Sequence, residues 1–570
     1  MWGHGLSSGG SVRHKAGGPA GRPACTRHSK TLARGTNIQA AGRETTRCRG
    51  QSWVKSSRRP APPGVSRALH EQSSTTRGSA QRAAPHSNDI IMHLDNFING
   101  RFVGNANGER FVKLEPATGQ PMASAAASSE ADVDAAVKAA RDAFETRWRA
   151  CTGSDRARAL LRLADLVERD AELFAELLSR EQGRASFEIR MMDVPMTVDT
   201  LRYFAGWADK LEGRTIPTAG SMGRPTLNYT ETEPLGVIAQ IIPWNAPLMI
   251  CAWKLAPALA AGCTVVIKPS EDAPVALTHL MKLVADAGIP DGVVNLVHGI
   301  GPTAGRALVT HADVARVSFT GSTEVGRSIT RDLAGTFRPV TLELGGKAAQ
   351  VLFEDADLPR ALQGLMMGLY ANQGQTCAAG SRILVHRSLY RTVAEQLAAA
   401  SDAIALGDPR SPDTQMGALI NQRHQQRVKH YIERGLQEGA QRICGTRAVP
   451  PQGFFVAPTL FTSDDPSSTL ARQEIFGPVG VIIPFDQDDE AIAIANSTVY
   501  ALSASLWTQD LSRAHRLARQ VDVGAVAVNC WSPLDPRLAW GGHKDSGIGH
   551  DLSRRAVEAC LREKTVTVSL

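Results

Sequence analysis

Gly236-Val237-Ile238-Ala239-Gln240-Ile241-Ile242 is an apolar run broken only by Gln240, and Pro243-Trp244-Asn245-Ala246-Pro247 follows it at once. A short apolar run bounded by turn signals reads as a strand buried on both faces. The pattern recurs along the chain. A helix expected to start near Pro247 leads to Cys263-Thr264-Val265-Val266-Ile267-Lys268, a second strand. A helix over 275–287 leads to a third over 293–297, and Arg316-Val317-Ser318-Phe319 is a fourth, running into Thr320-Gly321-Ser322-Thr323-Glu324-Val325-Gly326 and another helix. Buried strands alternating with helices define an α/β fold with a parallel sheet wound with helices. A second α/β set spans about 350–530, upstream helices are expected over 130–146, 154–168, 170–181 and 193–211, with Ser129 capping the first, and no internal repeat is present.

Open α/β sheets bind ligands beyond the carboxyl ends of their strands, so residues there are candidates. Gly321 to Gly326 opens a helix after a strand and could cradle a pyrophosphate; a plain turn is the alternative for this G-x-x-x-x-G spacing. Lys268-Pro269-Ser270-Glu271 follows another strand end, where a carboxylate could bind ribose hydroxyls or simply face solvent. The Asn245 amide is a good oxyanion donor or a turn-filling residue. Glu474-Ile475-Phe476-Gly477-Pro478 is a loop carrying a carboxylate and an aromatic ring.

Two further fragments suggest chemistry. Leu342-Glu343-Leu344-Gly345-Gly346-Lys347 places a carboxylate at a strand end, and Gly374-Gln375-Thr376-Cys377 places a thiol in a loop. A thiol adds readily to an aldehyde carbon, and a carboxylate can later activate the water that releases the acyl group.

Bulk properties narrow the partners. The 570 residues exceed one ordinary core, and 43% hydrophobic with 21% charged residues is ordinary for a globular protein. No apolar run approaches a membrane span. The net charge of +7 comes from residues 1–90, which hold 15 Lys and Arg against Glu44, Glu71 and Asp89; the rest holds 48 basic and 53 acidic residues. Nucleic acid is therefore not an expected partner of the body. Nine scattered cysteines with no C-x-x-C pair argue against a disulfide framework and against any metal site, and fit a reducing compartment. Residues 1–91, rich in Arg, Ser, Gly and Pro, read as a disordered basic tail, a targeting segment or a start set too far upstream. The third reading is preferred, because Met92 opens a sequence that looks like the start of a domain. The expected location is cytoplasmic, or the mitochondrial matrix if the tail is a transit peptide.

Taken together these motifs, with Ser546-Gly547-Ile548-Gly549, resemble the NAD(P)-dependent aldehyde dehydrogenase superfamily of the non-phosphorylating, hydrolytic type, over roughly 94–568. The resemblance implies a Rossmann-like NAD-binding domain (92–212 and 236–345), an α/β catalytic domain (346–550) and a small β oligomerisation element (213–235 and 556–570) that builds a homodimer or homotetramer. It implies that Cys377 is the nucleophile, Glu343 the general base and Asn245 an oxyanion donor. Trp244, Lys268, Ser270, Glu271, Gly321, Ser322, Gly326, Glu474 and Phe476 would bind the cofactor, NAD rather than NADP because Glu271 would repel a 2′-phosphate. Ala246, Trp253, Trp531, Leu534 and Trp540 resemble the positions lining the aldehyde tunnel. Ala246 and Trp540 depart from the family's usual residues there, which points to a bulky hydrophobic or aromatic aldehyde. A betaine- or amino-aldehyde specialist and a catalytically silent structural homologue are the competing readings.

Overall fold

The computed structural model describes residues 91–570. The expected tail and Cys25 and Cys48 lie outside the described residues, apart from Ile91.

The upstream helices start where polar caps allow it. Ser129 caps Glu130–Ala143 and Thr152 caps Gly153–Arg169, each through a reciprocal capping box with an Asp three residues on. Ala171–Gln182 stops at Gly183, which takes the left-handed conformation. The helix expected over 193–211 is shorter, Val194–Ala205, because Gly206 ends it.

Val237–Ile242, Thr264–Pro269, Val294–Leu296, Val314–Thr320 and Val340–Glu343 form the parallel centre of an eight-stranded sheet. From Val237–Ile242 the chain builds outward through Thr264–Pro269 to Val294–Leu296, then crosses back to Val314–Thr320 and Val340–Glu343. The order therefore reverses between Val237–Ile242 and Val314–Thr320, which opens a crevice at their carboxyl ends. Asn96–Ile98 and Arg101–Val103 extend one edge, and Gly547–Ile548 returns from far along the chain to pair antiparallel at the other.

A seven-stranded sheet holds, in order, Gln441–Cys444, Thr459–Thr462, Val479–Phe485, Arg382–His386, Ala349–Leu352, Ser503–Trp507 and Ala525–Val528. All neighbours are parallel except the first pair. Thr226–Pro234 and Leu561–Ser569 form a separate antiparallel ribbon of nine residue pairs. Packed among these elements is Pro247–Ala261, a helix whose fifteen residues are all buried. Hydrophobic all round, it belongs to the core rather than the surface.

Candidate active site

The crevice at the strand reversal is a cleft of about 1260 Å³. Ten of the twelve residues expected to react or to bind cofactor line it: Trp244, Asn245, Lys268, Ser270, Glu271, Gly321, Ser322, Cys377, Glu474 and Phe476. Gly326 and Glu343 are buried just behind its wall.

Sheet geometry places one half of this set. Val314–Thr320 feeds through Gly321 into helix Thr323–Leu333, capped by the Ser322 hydroxyl, which accepts from the Val325 amide at 3.3 Å. The free N–H groups of that first turn face the cleft, a natural anion site. Neither Gly321 nor Gly326 has a positive φ, so a simple turn requirement does not explain them. A Cβ on Gly326 would lie 2.6 Å from Leu344 Cδ2. Glycine is needed there so that the helix can approach the neighbouring strand. At the next strand end, Lys268 Nζ reaches the Pro269 carbonyl at 2.8 Å and Glu271 Oε2 at 3.6 Å. Burial lowers the lysine's pKa, and the Glu271 charge works against that shift.

The other half depends on an irregular loop. Helix Leu358–Tyr370 gives way to Asn372 (φ 52°), Gln373 (φ 55°) and Gly374 (φ 70°), three successive left-handed residues. They turn the Gln375 carbonyl back onto Asn245, whose Nδ2 donates to it at 3.0 Å. Asn372 Nδ2 donates to the Asn245 carbonyl at 2.7 Å and to the Gln375 carbonyl at 3.1 Å. Cys377 follows two residues later, half-buried. Burial pushes its thiol up to about 12, with Glu474 and then Glu343 adding to the shift. The resting side chain is therefore a thiol near neutral pH.

Glu343 ends its strand with both carboxylate oxygens buried and without a hydrogen-bond partner. Burial, reinforced by the Asp551 charge, holds its carboxyl well above the usual range, and Lys254 opposes this. The Gly345-Gly346 pair that follows is set by close packing. A Cβ on Gly345 would lie 2.5 Å from Glu474 Oε2, and one on Gly346 would collide with the Cys377 carbonyl. Glu474 Oε1 accepts the Gly346 amide at 2.9 Å.

Three contributors are not evident in the sequence motifs. Lys254 and Asp551 form a buried ion pair at 2.7 Å, close enough to act on the Glu343 charge, and Lys254 also donates to Ser318 Oγ at 3.1 Å. His424 Nε2 donates to the Phe476 carbonyl at 2.6 Å, and its ring packs edge-on against Trp244 at 5.4 Å. Burial lowers its pKa to about 4, so it is a neutral imidazole with the proton on Nε2. A His three residues into a helix capped by Asn421 carries no local signal of this role.

The tunnel residues divide. Trp531, Leu534 and Trp540 line a smaller cavity of about 230 Å³, together with Ala378, the residue after Cys377. Trp531 Nε1 donates to the Ala378 carbonyl at 3.1 Å, which ties this wall to the cysteine loop. Trp253 stands behind that wall, its ring 6.5 Å from Trp540. Ala246 is buried at the start of helix Pro247–Ala261 and lines neither cavity.

A thiol and an amide donor thus line a dinucleotide-type cleft, with a buried carboxylate just behind its wall. A family-wide profile described as the aldehyde dehydrogenase family matches residues 102–566, and the chain belongs to that family. Among its relatives is aldehyde dehydrogenase 1A1 of Oryctolagus cuniculus, 40% identical over 86% of this chain and 99% of the relative. The NAD⁺ complex of an aldehyde dehydrogenase from Bacillus cereus superposes with a TM-score of 0.82 at 42% identity, covering 84% of this chain and 97% of that one. A betaine aldehyde dehydrogenase from Staphylococcus aureus, crystallised with NAD⁺, gives 0.81 at 33% identity over 84% and 96%.

Proposed function

We propose that this aldehyde dehydrogenase oxidises a bulky apolar aldehyde, about one aromatic ring in size, to its carboxylic acid with NAD as oxidant. The observation that carries the chemistry is the buried, unpartnered Glu343 carboxylate within electrostatic reach of the Cys377 thiol.

The cleft suits a dinucleotide. The N-terminus of helix Thr323–Leu333 would hold the pyrophosphate, Lys268 and Glu271 the adenosine ribose, and Glu474 the second ribose beside Phe476 and Trp244, all of which line the cleft. The Glu271 carboxylate disfavours a 2′-phosphate, which supports NAD over NADP. NAD supplies the hydride acceptor. The chain's own residues do the rest. Cys377 Sγ adds to the aldehyde carbon as its proton passes to water in the open cleft that it lines. Asn245 Nδ2–H and the Cys377 backbone N–H hold the oxyanion. Once the adduct is oxidised to a thioester on Cys377, Glu343 takes a proton from water, and the hydroxide releases the acid. A carboxyl with a raised pKa is a stronger base when ionised, which suits this step.

Substrate size follows from the smaller cavity. Small residues such as Ala348, Ala349 and Gly380 line it together with two tryptophans and three leucines. An apolar cavity of ~150 Å³ accepts benzene, so about 230 Å³ accommodates a single-ring aldehyde. Asp535, the acidic residue among those lining this cavity, is paired with Arg537 through Nε at 2.7 Å, which disfavours a betaine-type cation there. The exposed ribbon of Thr226–Pro234 and Leu561–Ser569 supports a homodimer or homotetramer. No helix among the described residues is long and apolar enough to cross a membrane. The seven described cysteines are all free, which supports the cytoplasm, with the mitochondrial matrix as the alternative.

The test is NADH formation with benzaldehyde, long- and short-chain aliphatic aldehydes and betaine aldehyde, with NAD and NADP, against Cys377→Ala. Turnover highest on the aromatic aldehyde and absent in the variant is expected. A preference for betaine aldehyde would overturn the substrate reading. Bound NAD without turnover on any aldehyde would instead favour a catalytically silent homologue.

A further inference from the structure

We propose that Glu188 is a positioning residue for the oxyanion site. It acts through Asn372, and the proposal rests on the reading of Asn245 as the oxyanion donor. Glu188 lies in a different layer of the molecule, at the end of a single helical turn, Ser186–Glu188, that runs directly into a π-turn, Ile189–Asp193. π-Turns of this kind are frequent at functional sites. Its Oε2 accepts the backbone N–H of Asn372 at 2.9 Å.

That contact falls at the strained point of the cysteine loop. Asn372 (φ 52°, ψ 40°) and Gln373 (φ 55°, ψ 29°) are non-glycine residues in the left-handed region, and such a pair persists only where its surroundings hold it. Besides Gln375 within the loop, two anchors from outside it hold this one. Gln373 Nε2 donates to the Gly183 carbonyl at 2.7 Å, and Glu188 holds the Asn372 amide. The Asn372 side chain then fixes the catalytic amide by binding both the Asn245 carbonyl and the Gln375 carbonyl, which in turn accepts Asn245 Nδ2. Only one of the two Asn245 Nδ2 protons is used in this way, so the other remains for an oxyanion.

Glu188 is itself held in place. Arg184 Nε donates to its Oε2 at 2.7 Å, and Arg184 Nη1 pairs with buried Asp193 at 2.5 Å. One carboxylate oxygen thus joins a buried arginine to the loop, and a hydrogen bond to an ionised acceptor is stronger than a neutral one. The chain Asp193–Arg184–Glu188–Asn372–Asn245 reaches the site without any of its first three members lining the cleft. Removing Glu188 would release the Asn372 amide, let the left-handed pair relax and turn the Asn245 amide away from the reacting oxygen.

The experiment is a double-mutant cycle of Glu188→Ala and Asn245→Ala in the full-length enzyme, with Glu188→Gln as the rescue variant. Glu188→Ala is expected to lower kcat roughly tenfold or more with the KM for NAD unchanged, since loss of an oxyanion donor costs 10²–10³ and displacement costs less. Glu188→Gln keeps an acceptor oxygen and should recover most of the rate. In an Asn245→Ala background the Glu188→Ala change should cost little more, because the two act in series. Losses that multiply, or a rise in the KM for NAD equal to the fall in kcat, would overturn the positioning role. If Glu188→Ala unfolds, Glu188→Gln alone decides: parental kcat and KM with a near-parental Tm are expected, and a slow, fully folded Gln variant overturns the proposal. If Asn245→Ala keeps the parental rate, the oxyanion reading fails and the proposal fails with it. If Asn245→Ala is slow but the effects multiply, only the Glu188 role fails.

Discussion

Glu343 shows how one side chain trades stability for chemistry. Its two oxygens are buried with no hydrogen-bond partner, a state that costs free energy whenever the group is ionised. Because burial raises the folded-state pKa, the native protein holds this proton more tightly than the unfolded chain does. Stability is therefore lost as pH rises from the ordinary carboxyl range through the raised folded value. Glu343→Gln removes that cost and should show a higher Tm than the parent at neutral pH. The same variant should still release a first equivalent of NADH in a rapid burst, since forming and oxidising the Cys377 adduct consumes no water. Steady turnover should fall by roughly 10²-fold or more, the usual contribution of a general base. In the parent, kcat should fall toward acid pH as Glu343 takes up its proton, at a higher pH than an ordinary carboxyl would give, and the variant should lack that limb. Equal steady rates would sink the assignment. Cys377, Glu343 and Asn245 are legible as candidates because each sits in a short local motif at a strand or loop end. Lys254 and Asp551 are not, because they are 297 residues apart and only folding brings them together.

Among elements, the crossing of helix Thr323–Leu333 over the strand end at Leu344 decides how the cleft is shaped. Gly326 allows the contact, and a methyl group there would lie 2.6 Å from a Leu344 methyl. Overpacking of this kind costs ~1–3 kcal/mol, and the helix can relieve it by tilting its N-terminus away from the cleft. Gly326→Ala should therefore weaken NAD binding roughly tenfold, the equivalent of about 1.4 kcal/mol, as measured by titration calorimetry. Gly335→Ala, beyond the end of the same helix with nothing within 4 Å of a new Cβ, should leave affinity unchanged. Equal affinities in the two variants would mean that the helix position does not shape the cofactor site. The parallel strands and their following helices were legible because burial on both faces leaves a plain apolar signature. The Gly547–Ile548 strand was not, because two residues carry no periodicity and its partner lies in a distant segment. The cysteine loop was legible as a loop but not in its shape. Left-handed backbone at Asn372 and Gln373 reflects tertiary anchors rather than a glycine signal.

At the scale of the whole molecule, the ribbon of Thr226–Pro234 and Leu561–Ser569 is the element that a single chain explains least. Its nine pairs are regular, yet most of Leu561–Ser569 is exposed, as are Leu227, Val568 and Leu570. A two-stranded ribbon is marginal in water; residues 214–216 bond the outer edge of Thr226–Pro234, and the outer edge of Leu561–Ser569 is open to further pairing. Ala525–Val528, at the end of the seven-stranded sheet, likewise has an unpaired outer edge. Both features fit a second copy covering the ribbon. Thr565→Pro removes an outward-facing N–H: the residues that bond Thr226–Pro234 alternate with it, as the Leu570 N–H bonds the Pro225 carbonyl, so the change falls on the open edge of Leu561–Ser569. If the ribbon is the assembly element, the parent should run as a dimer or tetramer by light scattering and Thr565→Pro should run as a smaller species. The variant should also have a lower Tm, because association stabilises the folded state by mass action. A parent that is monomeric at assay concentration would remove the ribbon's proposed role. A variant with the parental mass would show instead that the contact between copies lies elsewhere.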